Sequence, residues 1–235
     1  MLSFSRTAVF VAAGRAIGAR EPDGDVRNPD FLAARLLGDG SVSLGGHRVE
    51  LALSLPYDEA MKDFEVARHV RAMIVRTRFV GDVLGRAVDD GVKQIVILGA
   101  GLDSHAYRMP SSWGSLQLFE VDRLSTQLFK MARVKDVLGG LLDHVVYVPV
   151  DFERDDFGGA LRRKGFDPKL MTAFVLEGVT MYLREDHVKR LFSFVATFCR
   201  GTRIVFDCVS RELVRLLNDV DSKGLEPSRR ELLKS

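Results

Sequence analysis

The sequence predicts an α/β fold built on a doubly wound, mainly parallel sheet. Three observations predict it. Five short, strand-like apolar runs recur in the second part of the chain, at residues 94–98, 116–122, 145–150, 172–176 and 202–207. Helical stretches lie between most of them, at residues 124–138, 157–164 and 184–198. Four consecutive runs end in glycine or an acid, at the edge where open α/β sheets bind ligands. Alternating strand and helix implies right-handed crossovers, so all five strands should be parallel, with the glycine-ended strand in a central place.

Composition narrows the function classes. A chain of 235 residues suits one large domain or two small ones, and long enough to bury a core without staples. Hydrophobic residues at 46% and charged residues at 28% give a globular rather than a disordered balance. Lys plus Arg (34) against Asp plus Glu (32) leaves +2, which removes the electrostatic case for a nucleic-acid partner. No apolar run is long enough to span a bilayer, so no membrane partner is expected. Two cysteines, Cys199 and Cys208, build no disulfide framework, and a reduced, cytoplasmic compartment is the simpler expectation. His47, His69, His105, His144 and His187 include no pair at helical ligand spacing, so no metal site is expected.

Residues 1–20 carry Arg6, Arg15 and Arg20 with no acid before Glu21, the composition of a transit peptide. The competing reading is an amphipathic helix of the domain, with Val9, Ala12, Ala13, Ala16 and Ile17 on one face. The helix is preferred because the pattern runs on into Asn28-Pro29-Asp30 without a cleavage-like break. Asn28-Pro29-Asp30 then caps a short helix through Leu37, and Gly38-Asp39-Gly40 ends it. Residues 41–57 read as loop. Residues 58–88 read as helix broken near Gly81, with Phe64, Ala67, Val70, Ile74 and Val75 at helical spacing. Three segments follow: an N-terminal helical cap (1–90), an α/β core (91–210) and a tail (211–235).

The strand ends carry the unusual residues. The first strand runs into Gly99-Ala100-Gly101-Leu102-Asp103, small residues that let the backbone approach a ligand closely. The second ends in Glu120-Val121-Asp122, and strand alternation puts both carboxylates on one side, about twenty residues past the glycines, as nucleotide folds use to hold ribose. The third ends in Asp151-Phe152, an acceptor beside an aromatic that suits an adenine. The fourth ends in Glu177-Gly178, an acid costly to bury unless paired or used. Each feature alone is commonplace: a turn, a solvated strand tip, a helix cap. Together at one edge they are not.

These residues resemble a known family. Ile97-Leu98-Gly99-Ala100-Gly101-Leu102-Asp103-Ser104, Glu120-Val121-Asp122, Val148-Pro149-Val150-Asp151-Phe152 and Glu177-Gly178-Val179-Thr180-Met181-Tyr182-Leu183 look like the leucine carboxyl methyltransferase family, more closely its microbial branch of S-adenosylmethionine-dependent methyltransferases. Arg6-Thr7-Ala8 through Pro29-Asp30, and Val75-Arg76-Thr77-Arg78-Phe79, are similar to that branch as well. The resemblance implies a Rossmann-like class I methyltransferase fold with S-adenosyl-L-methionine as cofactor. It implies that Gly99, with Gly101, lies against the methionine part, that Asp122 takes the ribose with Glu120 nearby, and that Asp151 and Phe152 hold the adenine. Arg76, or alternatively Arg78, would meet the cofactor carboxylate, and Glu177 would sit beside the sulfonium and an unknown methyl acceptor, a small molecule or a protein carboxylate, as a cofactor contact or as the catalytic base that a hydroxyl or amine acceptor needs.

The sequence departs from the family pattern twice. His105 stands where the branch usually has arginine. Residues 211–235 read as helix and polar tail where such sheets carry a final antiparallel hairpin, so that hairpin is expected to be missing and Val205 and Phe206 to lie at an open edge. Two rival readings follow: a truncated methyltransferase-like protein that binds cofactor without turnover, and an NAD(P)-dependent oxidoreductase. The second is weakened because Ser104 stands where the third glycine of the dinucleotide fingerprint belongs.

Overall fold

A computed structural model describes residues 5–38, 47–114 and 116–210. The sheet has five strands, β1 (Gln94–Leu98), β2 (Gln117–Asp122), β3 (Val145–Pro149), β4 (Thr172–Leu176) and β5 (Arg203–Phe206), in the order β3-β2-β1-β4-β5. Every pairing is parallel, and Ile97 of β1 stands between Glu120 of β2 and Val175 of β4. The chain builds outward from β1 to β3, then returns to place β4 on the other side. The switch point therefore lies between β1 and β4, with the glycine-ended strand central as its sequence predicts.

Alternation along β1 divides the core between the two faces of the sheet. Ile95 and Ile97 pack with Leu84 and Ala87 of the long helix α5 (Phe64–Asp89). Val96 and Leu98 pack on the other face with Phe174, with Leu161 of α7 (Phe157–Arg163) and with Leu191 of α8 (Glu185–Val195). All five β1 side chains are buried, which is why the run is apolar from Ile95 through Leu98 rather than alternating. Helix α6 (Leu124–Leu138) follows β2 over the predicted range and ends at Gly139, whose φ of +81° makes the left-handed cap.

Ahead of the sheet, α1 (Arg6–Gly18) crosses α5, flanked by α2 (Ala33–Leu37), α3 (Arg48–Ala52) and α4 (Tyr57–Ala60). Val9, Ala12, Ala13, Ala16 and Ile17 are all buried, so α1 belongs to the domain core. Gly14 is where the two helices touch: a Cβ there would lie 2.4 Å from His69 Nε2 and 2.8 Å from Met73 Cγ. Asn28 ties the next loop to α5, its amide donating to the Met73 carbonyl and the Thr77 hydroxyl, both at 3.2 Å.

Three expectations are corrected, the first being the loop read over residues 41–57, which holds helix α3 (Arg48–Ala52). Helix α5 runs through Gly81 unbroken, because Val80, Leu84 and Ala87 pack tightly and outweigh the roughly 1 kcal/mol that one glycine costs. The interruption falls earlier, where Asp63 Oδ1 caps Glu65 and Val66. The buried stripe of α5 is Val66, Val70, Met73, Thr77, so Phe64 and Val75, read as inward from their spacing, are exposed. The tail read from 211–235, including the missing hairpin, lies outside the described residues. Among the described residues no helix is long and apolar enough to cross a membrane.

Candidate functional site

A cavity of about 490 Å³ opens at the carboxyl ends of β1 to β4, roofed by Thr7, Ala8, Val11 and Arg15 of α1. That volume suits a small molecule. Its floor is the turn after β1, where Gly99 (φ +70°) and Gly101 (φ +45°) take conformations that side chains resist. The Gly99 and Ala100 N–H groups both donate to the Val121 carbonyl, at 2.7 and 3.0 Å, which binds the turn to β2. A Cβ on Gly99 would lie 2.3 Å from Val179 Cγ2, so the turn also needs glycine for lack of space.

Asp122 ends β2. Its Oδ2 accepts from the Gly101 N–H at 2.6 Å and its Oδ1 from the Arg123 N–H at 2.7 Å. Burial pushes its carboxyl above the usual range, and the two N–H donors pull it back. Each oxygen keeps a second lone pair, so Asp122, which lines the cavity, remains an acceptor for a ligand. Asp151 and Phe152, after β3, line the same cavity. Asp151 Oδ1 accepts from the Glu153 N–H at 3.0 Å, and its Oδ2 is 3.9 Å from Arg123 Nε.

Glu120 is placed elsewhere. It sits two residues below the strand tip and is fully buried, its Oε1 2.8 Å from Lys130 Nζ and its Oε2 accepting from the Tyr107 hydroxyl at 3.2 Å. Two residues of strand span about 7 Å, enough to remove it from the cavity wall. The expectation that both carboxylates converge at the tip thus fails for Glu120. Its charge is spent on a structural pair beneath the sheet face, with burial pushing its carboxyl up to about 7 against the pull of Lys130.

Glu177, after β4, lines the cavity beside the glycine turn. Its Oε1 lies 2.8 Å from Arg76 Nε and 3.9 Å from Arg15 Nη1. Its Oε2 is buried without a hydrogen-bond partner among the described residues. Gly178 turns the chain at φ +67° and donates its N–H to Asp207 Oδ1 at 2.7 Å. Arg76 itself is not in the cavity wall. Its guanidinium is shared between Glu177 and Asp207, whose Oδ2 is 3.0 Å from Nη1, with Nη2 against Met73 Sδ. Arg78 points away and donates to the Arg27 carbonyl at 2.7 Å, so it is no substitute.

Two residues were missed by sequence reasoning. Arg15 is 3% exposed and reaches the cavity from α1, with Nε 2.9 Å from Asp30 Oδ2 and Nη2 donating to the Leu102 carbonyl at 2.8 Å. Despite the cost of burial, Asp30, Asp103 and Glu177 keep it firmly protonated. Its signal was a charge interrupting the Ala12–Ile17 apolar face. Asp207 extends the strand-end acid pattern to the fifth strand, and carrying that pattern one strand further would have found it. His105 is buried rather than cavity-lining: its Nδ1 is 2.8 Å from Asp103 Oδ2, and Asp103 is held well below the usual carboxylate range, His105 and then Arg15 and Lys130 outweighing burial.

These residues fit a nucleoside-bearing amino-acid ligand on their own chemistry. The orphaned Glu177 oxygen asks for a cation, the glycine turn admits close backbone approach, and Asp122 with Phe152 supplies a hydroxyl acceptor and an aromatic face. Fold and cavity together define a doubly wound α/β protein with a small-molecule cleft at its switch point. The sequence profile of the leucine carboxyl methyltransferase family matches residues 8–196, and the chain belongs to that family. Relatives provisionally named S-adenosyl-L-methionine-dependent methyltransferases include one from Mycobacterium avium, 34% identical over 88% of this chain and 67% of its own length. Another from Frankia alni is 36% identical over 88% of this chain and 70% of its own. A third, from Mycolicibacterium smegmatis, is 35% identical over 81% of this chain and 61% of its own. The chain thus spans about two thirds of the length of the curated relatives it matches. The crystal structure of a DUF574 family protein from Streptomyces avermitilis shares the fold, with a TM-score of 0.50 at 14% identity over 92% of this chain and 83% of that one.

Proposed function

We propose that the chain is an S-adenosylmethionine-dependent methyltransferase acting on a carboxylate or hydroxyl oxygen. The observation that carries this reading is the convergence of four strand ends on one cavity: the Gly99–Gly101 turn, Asp122, Asp151 with Phe152, and Glu177. Adjacent strands lie about 4.8 Å apart, so the β3 and β4 ends are separated by roughly 14 Å, room for an elongated ligand laid across the sheet edge. In this reading Asp122 accepts from the ribose hydroxyls, and Phe152 and Asp151 hold the adenine ring and its amino group. Glu177 Oε2 takes the ammonium of the amino-acid part, and Arg15, beside it in the cavity wall, lies on the same side for the carboxylate.

Held by Asp122, Asp151, Phe152 and Glu177, the cofactor would supply a sulfonium methyl group open to in-line displacement, with the neutral thioether as leaving group. The chain's own contribution is positioning and exclusion of water. The roof from α1 and the Gly178–Leu183 segment enclose the Glu177 end of the cavity. A carboxylate acceptor is already a nucleophile and asks no base of the protein, whereas a hydroxyl would need a carboxylate to take its proton, and Glu177 at this end is already engaged by Arg76. Calorimetric titration of the full chain with S-adenosylmethionine, and separately with NADH, tests the reading. Saturable binding of the first alone supports it. Binding of NADH, or of neither, overturns it.

A further inference from the structure

We infer that Asp207 is a positioning residue of this site, which holds Arg76 away from full pairing with Glu177 and so leaves one Glu177 oxygen for the ligand. The inference rests on the cofactor reading above and adds a residue to it. Arg76 stands between two carboxylates. Its Nε faces Glu177 Oε1 at 2.8 Å, and its Nη1 donates to Asp207 Oδ2 at 3.0 Å. A guanidinium beside a single carboxylate favours the bidentate fork, engaging both oxygens at once. Here the fork is divided: Nη2 faces Met73 Sδ, Nη1 is drawn to Asp207, and Glu177 Oε2 is buried with no hydrogen-bond partner among the described residues. Asp207 supplies the competing charge that keeps it divided.

Asp207 also fixes the segment on which Glu177 rides. Its Oδ1 accepts from the Gly178 N–H at 2.7 Å, its carbonyl accepts from the Thr180 hydroxyl at 2.7 Å, and its own N–H donates to the Leu176 carbonyl at 3.3 Å. One residue at the end of β5 therefore sets both the backbone after β4 and the arginine behind Glu177. Neither Asp207 nor Arg76 reaches the cavity wall, so the effect passes through Glu177.

Asp207→Asn separates these roles, since the amide oxygen still accepts from Gly178 while the charge that draws Arg76 is gone. Titration of the variant is expected to show S-adenosylmethionine bound about tenfold more weakly. Affinity for 5′-methylthioadenosine, the same nucleoside without the amino-acid part, should change less than twofold, because that ligand makes no use of Glu177. In an Arg76→Gln background, where no guanidinium can swing across, adding Asp207→Asn should cost less than twofold further. Equal losses for both ligands, or additive losses with Arg76→Gln, would make Asp207 merely structural and overturn the inference. So would unchanged S-adenosylmethionine affinity in Asp207→Asn. Failure of the unaltered chain to bind S-adenosylmethionine removes the underlying reading instead, which is a separable result.

Discussion

The Gly101 N–H donates to Asp122 Oδ2 across 2.6 Å, joining the turn after β1 to the tip of β2 in a charge-assisted bond. The same carboxylate both shapes the glycine turn and faces the cavity. Replacing it with Ala removes an acceptor from the ligand and two from the backbone. Loss of a charged acceptor costs about 1.5–3 kcal/mol, so Asp122→Ala should weaken S-adenosylmethionine binding roughly tenfold to a hundredfold by calorimetry. Unaltered affinity would remove Asp122 from the site.

Gly99→Ala should damage fold and site together. The φ of +70° is strained for any side chain, and the new methyl would meet Val179 Cγ2 at 2.3 Å. Strain of this kind costs on the order of 1–3 kcal/mol before the clash is counted. Urea denaturation should show a loss of at least about 2 kcal/mol, with S-adenosylmethionine binding reduced in the fraction that remains folded. A variant as stable as the parent would mean that Val179 yields freely.

Much of the architecture was legible because buried parallel strands need continuous apolar runs, and β1 and β4 appear at their predicted bounds. The helix α6 does so as well, since Gly139 marks its end chemically. The face of α5 was not legible: Phe64 and Val75 are apolar yet exposed, and spacing alone cannot say which of two adjacent stripes the N-terminal helices will cover. In the site, Gly99, Asp122, Asp151, Phe152 and Glu177 share one cavity because strand ends align in a parallel sheet. Glu120 and Arg76 were harder to place: Glu120 is claimed by Lys130 of the next helix, which strand alternation does not reveal, and Arg76 by Asp207, 131 residues away.

The Glu120–Lys130 pair gives a test independent of any ligand. Both side chains are at most 1% exposed, so Lys130→Met alone strands a buried carboxylate and should cost about 3–5 kcal/mol in urea denaturation. Glu120→Gln combined with Lys130→Met should recover a large part of that loss. Simple additivity of the two substitutions would show that the charges do not depend on each other.

Stability should also report on His69. Its Nε2 donates to the Phe10 carbonyl at 3.0 Å and its ring lies 4.0 Å from the Phe10 ring, a packed site in which burial pushes its pKa down to about 4. The folded state therefore binds fewer protons than the unfolded chain between about 4 and the ordinary 6.5. Stability is full above that window and falls as pH drops through it, by as much as about 3 kcal/mol. His69→Gln, which keeps a donor for Phe10 but does not titrate, should flatten this segment of the pH–stability curve. An unchanged slope would assign the acid sensitivity to other groups.

The roof of the cavity is also a wall of the N-terminal core: Val9 and Ala12 of α1 bury themselves among α2, α3 and α5 while Ala8 and Val11 face the sheet edge. A molecule seated beneath α1 is lost whenever this layer peels away, so saturation and peeling are thermodynamically linked. At a free concentration a hundredfold above Kd, the ligand would hold the layer down by about 2.7 kcal/mol. Arg20, exposed but clamped to the carbonyls of Ala52, Leu53 and Leu55, is a trypsin cleavage point that such peeling would release from its clamp. The rate of nicking there thus becomes a gauge of occupancy, readable on a gel before any methyl acceptor has been found.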